Sequence, residues 1–161
     1  MNVSTKSGQL ALLSLSILFA IDAACLLAPT PAQAGQSDCS SGTSTATGTQ
    51  ASSCGYFNTA SGYRNSAFGF GNSAGPDYAY NGNHYYAFEA NAFGANNTAN
   101  GTHASAIGTG NTAGRGYVTG GAAHFTYNDS AIGAYNTATG GDSSAFGYRN
   151  SASGRGSSAI G

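Results

Sequence analysis

Charge is scarce in this 161-residue chain. Asp, Glu, Lys and Arg make up 7% of it and the net charge is −1, against about a quarter charged residues in an ordinary domain. That balance offers no electrostatic basis for binding nucleic acid or an anionic membrane. There is no Trp, Pro occurs three times, and large aliphatic residues almost vanish after residue 35. A conventional core of Leu, Ile and Val is therefore excluded. Disorder is the next reading for a chain with 25 Gly, but disordered chains are typically charged, Pro-rich and poor in aromatics, and this one has ten Tyr and eight Phe.

The long apolar run that does exist lies at the start. Lys6 precedes the apolar stretch Leu10–Ala20, and Ala32-Gln33-Ala34 offers a small-x-small cleavage site. Residues 1–34 read as a signal peptide, with a mature chain from Gly35. A membrane anchor over Leu10–Ala28 would have to bury Asp22, at a cost of a few kcal/mol. A lipoprotein acylated at Cys25 would need an apolar residue where Asp22 stands. Cleavage removes Cys25 and the only Lys, leaving Cys39 and Cys54. Two cysteines in an exported chain suggest a disulfide, with free structural thiols as the alternative. Lying 15 residues apart, they fall on opposite strand faces in ideal register, so a bond requires an irregular first coil.

A repeat organises the remainder. Units start at Ser52, Ser66, Asn91, Ser105, Ser130, Ser144 and Ser158, with a degenerate one at Asp38. The third position holds Cys54, Phe68, Phe93, Ile107, Ile132, Phe146 and Ile160, and the fourth is always Gly. The seventh is Asn58, Asn72, Asn97, Asn111, Asn136 and Asn150; the eighth is Thr or Ser, the ninth Ala. The basic unit is 14 residues, and two units carry an 11-residue insertion, so the pattern recurs every 39 residues. Fourteen residues are too few for a helical-hairpin repeat, and Gly and Asn at this density oppose a helix. Two short strands and two tight turns fit, stacked as an all-β parallel solenoid with coils about 4.8 Å apart. Gly and Asn are expected to supply the positive-φ corners, and the Asn column to stack as an amide ladder.

Neighbouring side chains on a strand point to opposite faces, yet Ala67-Phe68 and Ala106-Ile107 are both apolar. Both faces are therefore covered. One lines a narrow lumen and the other leaves an apolar stripe, which is an association surface. Phe68, Phe93, Ile107, Ile132 and Phe146 form the trimer or core column; whether they or the Ala column face the lumen is open at this level.

The segments SAFGYRNSASG (Ser144–Gly154) and SAIGAYNTATG (Ser130–Gly140) resemble the head repeat of YadA-like trimeric autotransporter adhesins, a likeness running over about residues 38–161. The resemblance implies a left-handed parallel β-roll, a homotrimer, and a cell-surface or outer-membrane head that attaches to extracellular matrix or cells. Such proteins continue into a coiled-coil stalk and a β-barrel anchor. No heptads and no barrel strands are found here, so the expectation is a head fragment with no membrane insertion of its own, or a secreted product.

The two insertions align. YAYNGNHYYAF (Tyr78–Phe88) and YVTGGAAHFTY (Tyr117–Tyr127) each place β-prone runs around Asn81-Gly82 or Gly120-Gly121, the signal for a type I′ hairpin. Tyr78, Tyr80, Tyr85, Tyr86, Tyr117, Phe125 and Tyr127 are candidate contact residues; packing across a neighbouring chain is the structural alternative. His84, His103 and His124 have no close ligand partners in sequence, Gly108–Gly114 precedes no helix that could bind phosphate, and no nucleophile–base pair is evident. The expectation is a binding protein, not an enzyme, without cofactor or metal. The competing class is a secreted structural solenoid, including an ice-binding one, for which the single Thr/Ser column is a thin basis.

Overall fold

In a computed structural model the described residues are 37–40 and 43–161, with backbone placement alone for 37–40 and Tyr80. The proposed signal peptide, with Lys6, Asp22, Cys25 and the cleavage site, lies outside the described residues. All of the described residues belong to one compact unit, Ala34–Gly161.

The described chain is all-β, and two parallel sheets run its length. The first has eight strands: Ser37–Ser40, Ser52–Tyr56, Ser66–Phe70, Asn91–Ala95, Ser105–Thr109, Ser130–Ala134, Ser144–Tyr148 and Ser158–Ile160. The second has seven shorter ones, from Thr45–Thr47 to Ser151–Ala152. Each coil contributes one strand to each sheet, and every strand pairs with its counterpart one coil away. Ile107, for example, stands between Phe93 and Ile132. The register never slips, even across the two insertions. The fold is thus a parallel β-roll.

The first coil departs from the 14-residue rule. Ser37 pairs with Ser52 and Cys39 with Cys54, so the unit begins at Ser37, not at Asp38, and holds 15 residues. The extra residue is absorbed before Thr45, and the two cysteines occupy the same register position of adjacent strands rather than positions one residue apart.

The lumen is lined by alanine. Ala67, Ala92, Ala106, Ala131 and Ala145 of the first sheet are fully buried, as are Ala60, Ala74, Ala99, Ala113 and Ala138 of the second. Fourteen residues wrapped into two strands leave room for nothing larger between the sheets. The Phe/Ile column faces outward: Phe93, Ile107 and Phe146 are 36%, 40% and 37% exposed. The Ala column is the core column, and the Phe/Ile column is not.

The corners also differ from expectation. Gly at the fourth position has φ near +115°, for instance +119° at Gly69 and +118° at Gly108. A Cβ there would overlap the carbonyl oxygen of the next coil's Gly. The Asn column is absent from the positive-φ set. The left-handed residues at the corners are instead Phe57, Asn96, Tyr135 and Arg149 on one side, and Gln50, Arg64, Glu89, His103, Asn128 and Asp142 on the other. These positions vary in residue type, so the repeat did not mark them. What holds φ positive there is the ladder on either side of the corner, not a permissive residue.

Candidate functional site

The Asn ladder is a backbone cap as well as an amide stack. Asn111 is buried. Its Nδ2 donates to the carbonyl of Ile107 four residues before it (2.8 Å) and to Gly133 in the next coil (2.8 Å). Its Oδ1 accepts the backbone N–H of Asn136 (2.9 Å) and the Nδ2 of Asn136 (3.2 Å). The same set recurs at Asn58, Asn72 and Asn97; Asn136 makes both donor contacts and accepts the Asn150 backbone N–H, and Asn150 makes both donor contacts at the last full coil. Positive φ at the Gly turns its carbonyl towards the corner, where a short side-chain amide reaches it. In the first coil Ser44 takes the place of Asn and donates to Gly55.

The opposite corner carries a column of mixed residue type in which Asn65, Asp129 and Ser143 are buried polar residues. Asn65 donates to the carbonyls of Ser61 and Ala87 and accepts Ala90 N–H, tying the coil closed across the first insertion. Asp129 accepts from Gly141 N–H, Ser143 N–H and the Ser143 hydroxyl, all on Oδ1. Asn65 and Asp129 each follow a corner residue with positive φ, Arg64 and Asn128, a backbone feature that the sequence does not mark. Outside them runs an exposed polar column. Arg64 bridges Gln50 and Glu89, Glu89 also meets His103 at 3.5 Å, and Asn128 donates to Asp142. Exposed pairs of this kind contribute little to stability.

The outer face of the first sheet presents the apolar stripe. Cys54, Phe68, Phe93, Ile107, Ile132, Phe146 and Ile160 are in register, a run of about 29 Å at 4.8 Å per coil. Phe68 and Phe93 stack face to face with centroids 5.2 Å apart. Tyr56, Phe57 and Phe70 cluster beside one end of the stripe, and Tyr135 and Tyr148 meet edge-to-face towards the other. An exposed apolar column of this length is unusual on a single soluble chain.

The insertions form antiparallel hairpins. Tyr78–Tyr80 pairs with Asn83–Tyr85, and Gly116–Thr119 with Ala122–Phe125. The loop residues Asn81, Gly82, Gly120 and Gly121 all have positive φ, as a type I′ turn requires. The hairpins lean on each other. The Tyr78 ring meets Phe125 edge-on at 5.7 Å, and the Tyr85 hydroxyl donates to the Gly121 carbonyl (3.2 Å). Tyr78 and Phe125 are thus packing residues as well as surface ones. Tyr117 and Tyr127 are exposed, Tyr85 and Tyr86 half-buried, and Tyr80 is placed in the first hairpin by its backbone.

The three histidines lie apart. His84 pairs with Asp77 and stacks on Tyr86, His103 lies beside Glu89, and His124 stacks on Tyr117. No group of three or more His, Cys, Asp or Glu side chains able to hold a metal occurs among the described residues. Nor, among them, is any helix long and apolar enough to cross a membrane, a statement that does not bear on β-barrels.

A parallel roll with an alanine lumen, an Asn-capped corner and an outward apolar column defines a repetitive β-roll. The family model described as YadA head domain repeat (2 copies) matches residues 91–111, 127–150 and 138–161, so these coils are similar to the YadA head repeat. The coils before residue 91 share the register of those that match. No curated protein and no solved structure matched the chain.

Proposed function

We propose that this chain is the head of a homotrimeric cell-surface adhesin that attaches its bearer to extracellular matrix or to other cells. The observation that carries the proposal is the outward stripe from Cys54 to Ile160. It is in register, apolar and half-exposed, and three copies meeting along it would remove it from water. At about 25 cal/mol per Å² of apolar area, such a column in three chains is a large contribution to stability. The YadA-type repeat supports the same assembly. An exported chain fits a head displayed at the outer membrane.

The surface left for a partner holds few charges and many aromatic rings. Attachment therefore acts through shape, backbone groups and Tyr, and is multiplied by repetition within the trimer. It works by binding rather than catalysis. The hairpins at Tyr78–Phe88 and Tyr117–Tyr127 are the contact elements. Display of the head on an inert cell, with adherence measured on a panel of matrix proteins and cells, tests this directly. Adherence that falls when both hairpins are replaced by two-residue turns is the expected result. A trimeric head that adheres to no surface contradicts it.

A further inference from the structure

We infer that the two hairpins jointly form a site for a neutral sugar; this rests on the reading of the hairpins as contact elements and gives their ligand a chemical class. Between them lies an open cleft of about 370 Å³, at the small end of the range for ligand sites. His84, Tyr85, Tyr86 and Phe88 line it from the first insertion, Phe125 and Tyr127 from the second. Neither insertion makes the cleft alone. The edge-on contact of Tyr78 with Phe125 and the Tyr85 to Gly121 hydrogen bond hold the two walls together before any ligand arrives.

The lining chemistry selects the ligand. It contains no Lys, Arg, Asp or Glu, which disfavours phosphate, sulfate and carboxylate groups, since each would be desolvated without a countercharge. Arg115 is outside the lining and sits over the Tyr117 ring, 5.4 Å from its centroid. The Tyr85 hydroxyl is committed to Gly121 and His84 Nδ1 to Asp77, so the polar groups left for a ligand are the Tyr86 and Tyr127 hydroxyls and His84 Nε2, which a purely apolar ligand would leave unused. A pyranose matches both features. Its C–H face packs on aromatic rings, and its hydroxyl rim meets Tyr hydroxyls and imidazole nitrogen. Phe88 and Tyr127, 50% and 57% exposed, stand ready as flat rings at the mouth. His84 Nδ1–H donates to the Asp77 carboxylate, which fixes the ring and leaves Nε2 for a hydroxyl.

The test is saturation-transfer NMR on the assembled protein with lactose, cellobiose, mannobiose and 2′-fucosyllactose. Transfer onto ring C–H protons of at least one sugar is expected, falling about tenfold or more in Phe88→Ala and in Tyr127→Ala. Both side chains are exposed, so neither variant threatens the fold. Tyr63→Ala, an exposed ring outside both hairpins and outside the cleft, leaves the transfer unchanged. No transfer to any of the four sugars, or equal transfer in Tyr127→Ala, overturns the inference. Adherence to a surface before and after periodate oxidation of its glycans separates the two readings. Adherence that survives periodate overturns the sugar site and keeps the adhesin, whereas a trimer adhering to neither surface overturns the adhesin.

Discussion

Asn111→Ala removes one rung from the middle of the amide ladder. The backbone N–H of Asn136 then loses its acceptor and stays buried, which costs about 1–3 kcal/mol. The carbonyls of Ile107 and Gly133 each lose a side-chain donor, at about 0.5–1.5 kcal/mol apiece. The sum is about 2–6 kcal/mol, before any cost of the small cavity. In a small domain 1 kcal/mol moves the melting temperature by about 4–8 °C, so the midpoint drops by more than about 8 °C. Asn150→Ala is the internal control. It is half-buried and its side chain makes only the two donor contacts, so its cost stays near 1–3 kcal/mol. Thermal unfolding followed by circular dichroism, at one fixed protein concentration because association is linked to stability, reads both. A midpoint for Asn111→Ala equal to that of wild type, or above that of Asn150→Ala, refutes the capping account.

Ala106→Leu forces a large side chain into a lumen sized for methyl groups and lowers stability by about 1–3 kcal/mol or more, whereas Ile107→Leu on the outer face changes it little; urea midpoints compare the two. Cys39 and Cys54, opposite one another in register, form a disulfide closing a loop worth about 3 kcal/mol in the chain-entropy model; peptide mapping without reductant recovers the linked pair, and recovery of two alkylated thiols contradicts it. Adherence of the displayed head is nearly constant between low and high salt, because no cluster of charges supports it; a steep fall with added salt assigns the attachment to ion pairs instead.

The sequence made the repeat legible because a solenoid imposes one rule at every coil. Gly at the fourth position is forced by the close approach of the next coil's carbonyl, and Ala at the ninth by the narrow lumen, so both recur, with the one exception of Ser40 opposite Gly55 in the first coil. Hairpin turns were legible because Asn-Gly and Gly-Gly meet a local backbone demand. Direction was not: Ala67 and Phe68 are both apolar, and only the lumen's size decides which turns inward. The true corner residues were hidden for the opposite reason. Phe57, Arg64 and Tyr135 sit at positive φ because the ladders on either side hold them there, and that constraint leaves no residue preference to read. Asn65 and Asp129 escaped notice because their column, which elsewhere holds Ala51, Ala90, Ala104, Ser143 and Ser157, keeps no fixed residue type. The contact between the two hairpins is tertiary, with partners 36 and 47 residues apart (Tyr85 with Gly121, Tyr78 with Phe125), and no local pattern announces it.

The most direct test of the account is the native mass of residues 35–161 by sedimentation equilibrium, read beside that of Ile107→Asp/Ile132→Asp. Three chains per particle are expected for the wild type. The double variant places two carboxylates on the outward stripe, not in the lumen, and is expected to keep its β-type circular dichroism while sedimenting as a single chain. A wild-type chain that is fully folded and monomeric, with its Phe and Ile column open to water, contradicts the trimeric head.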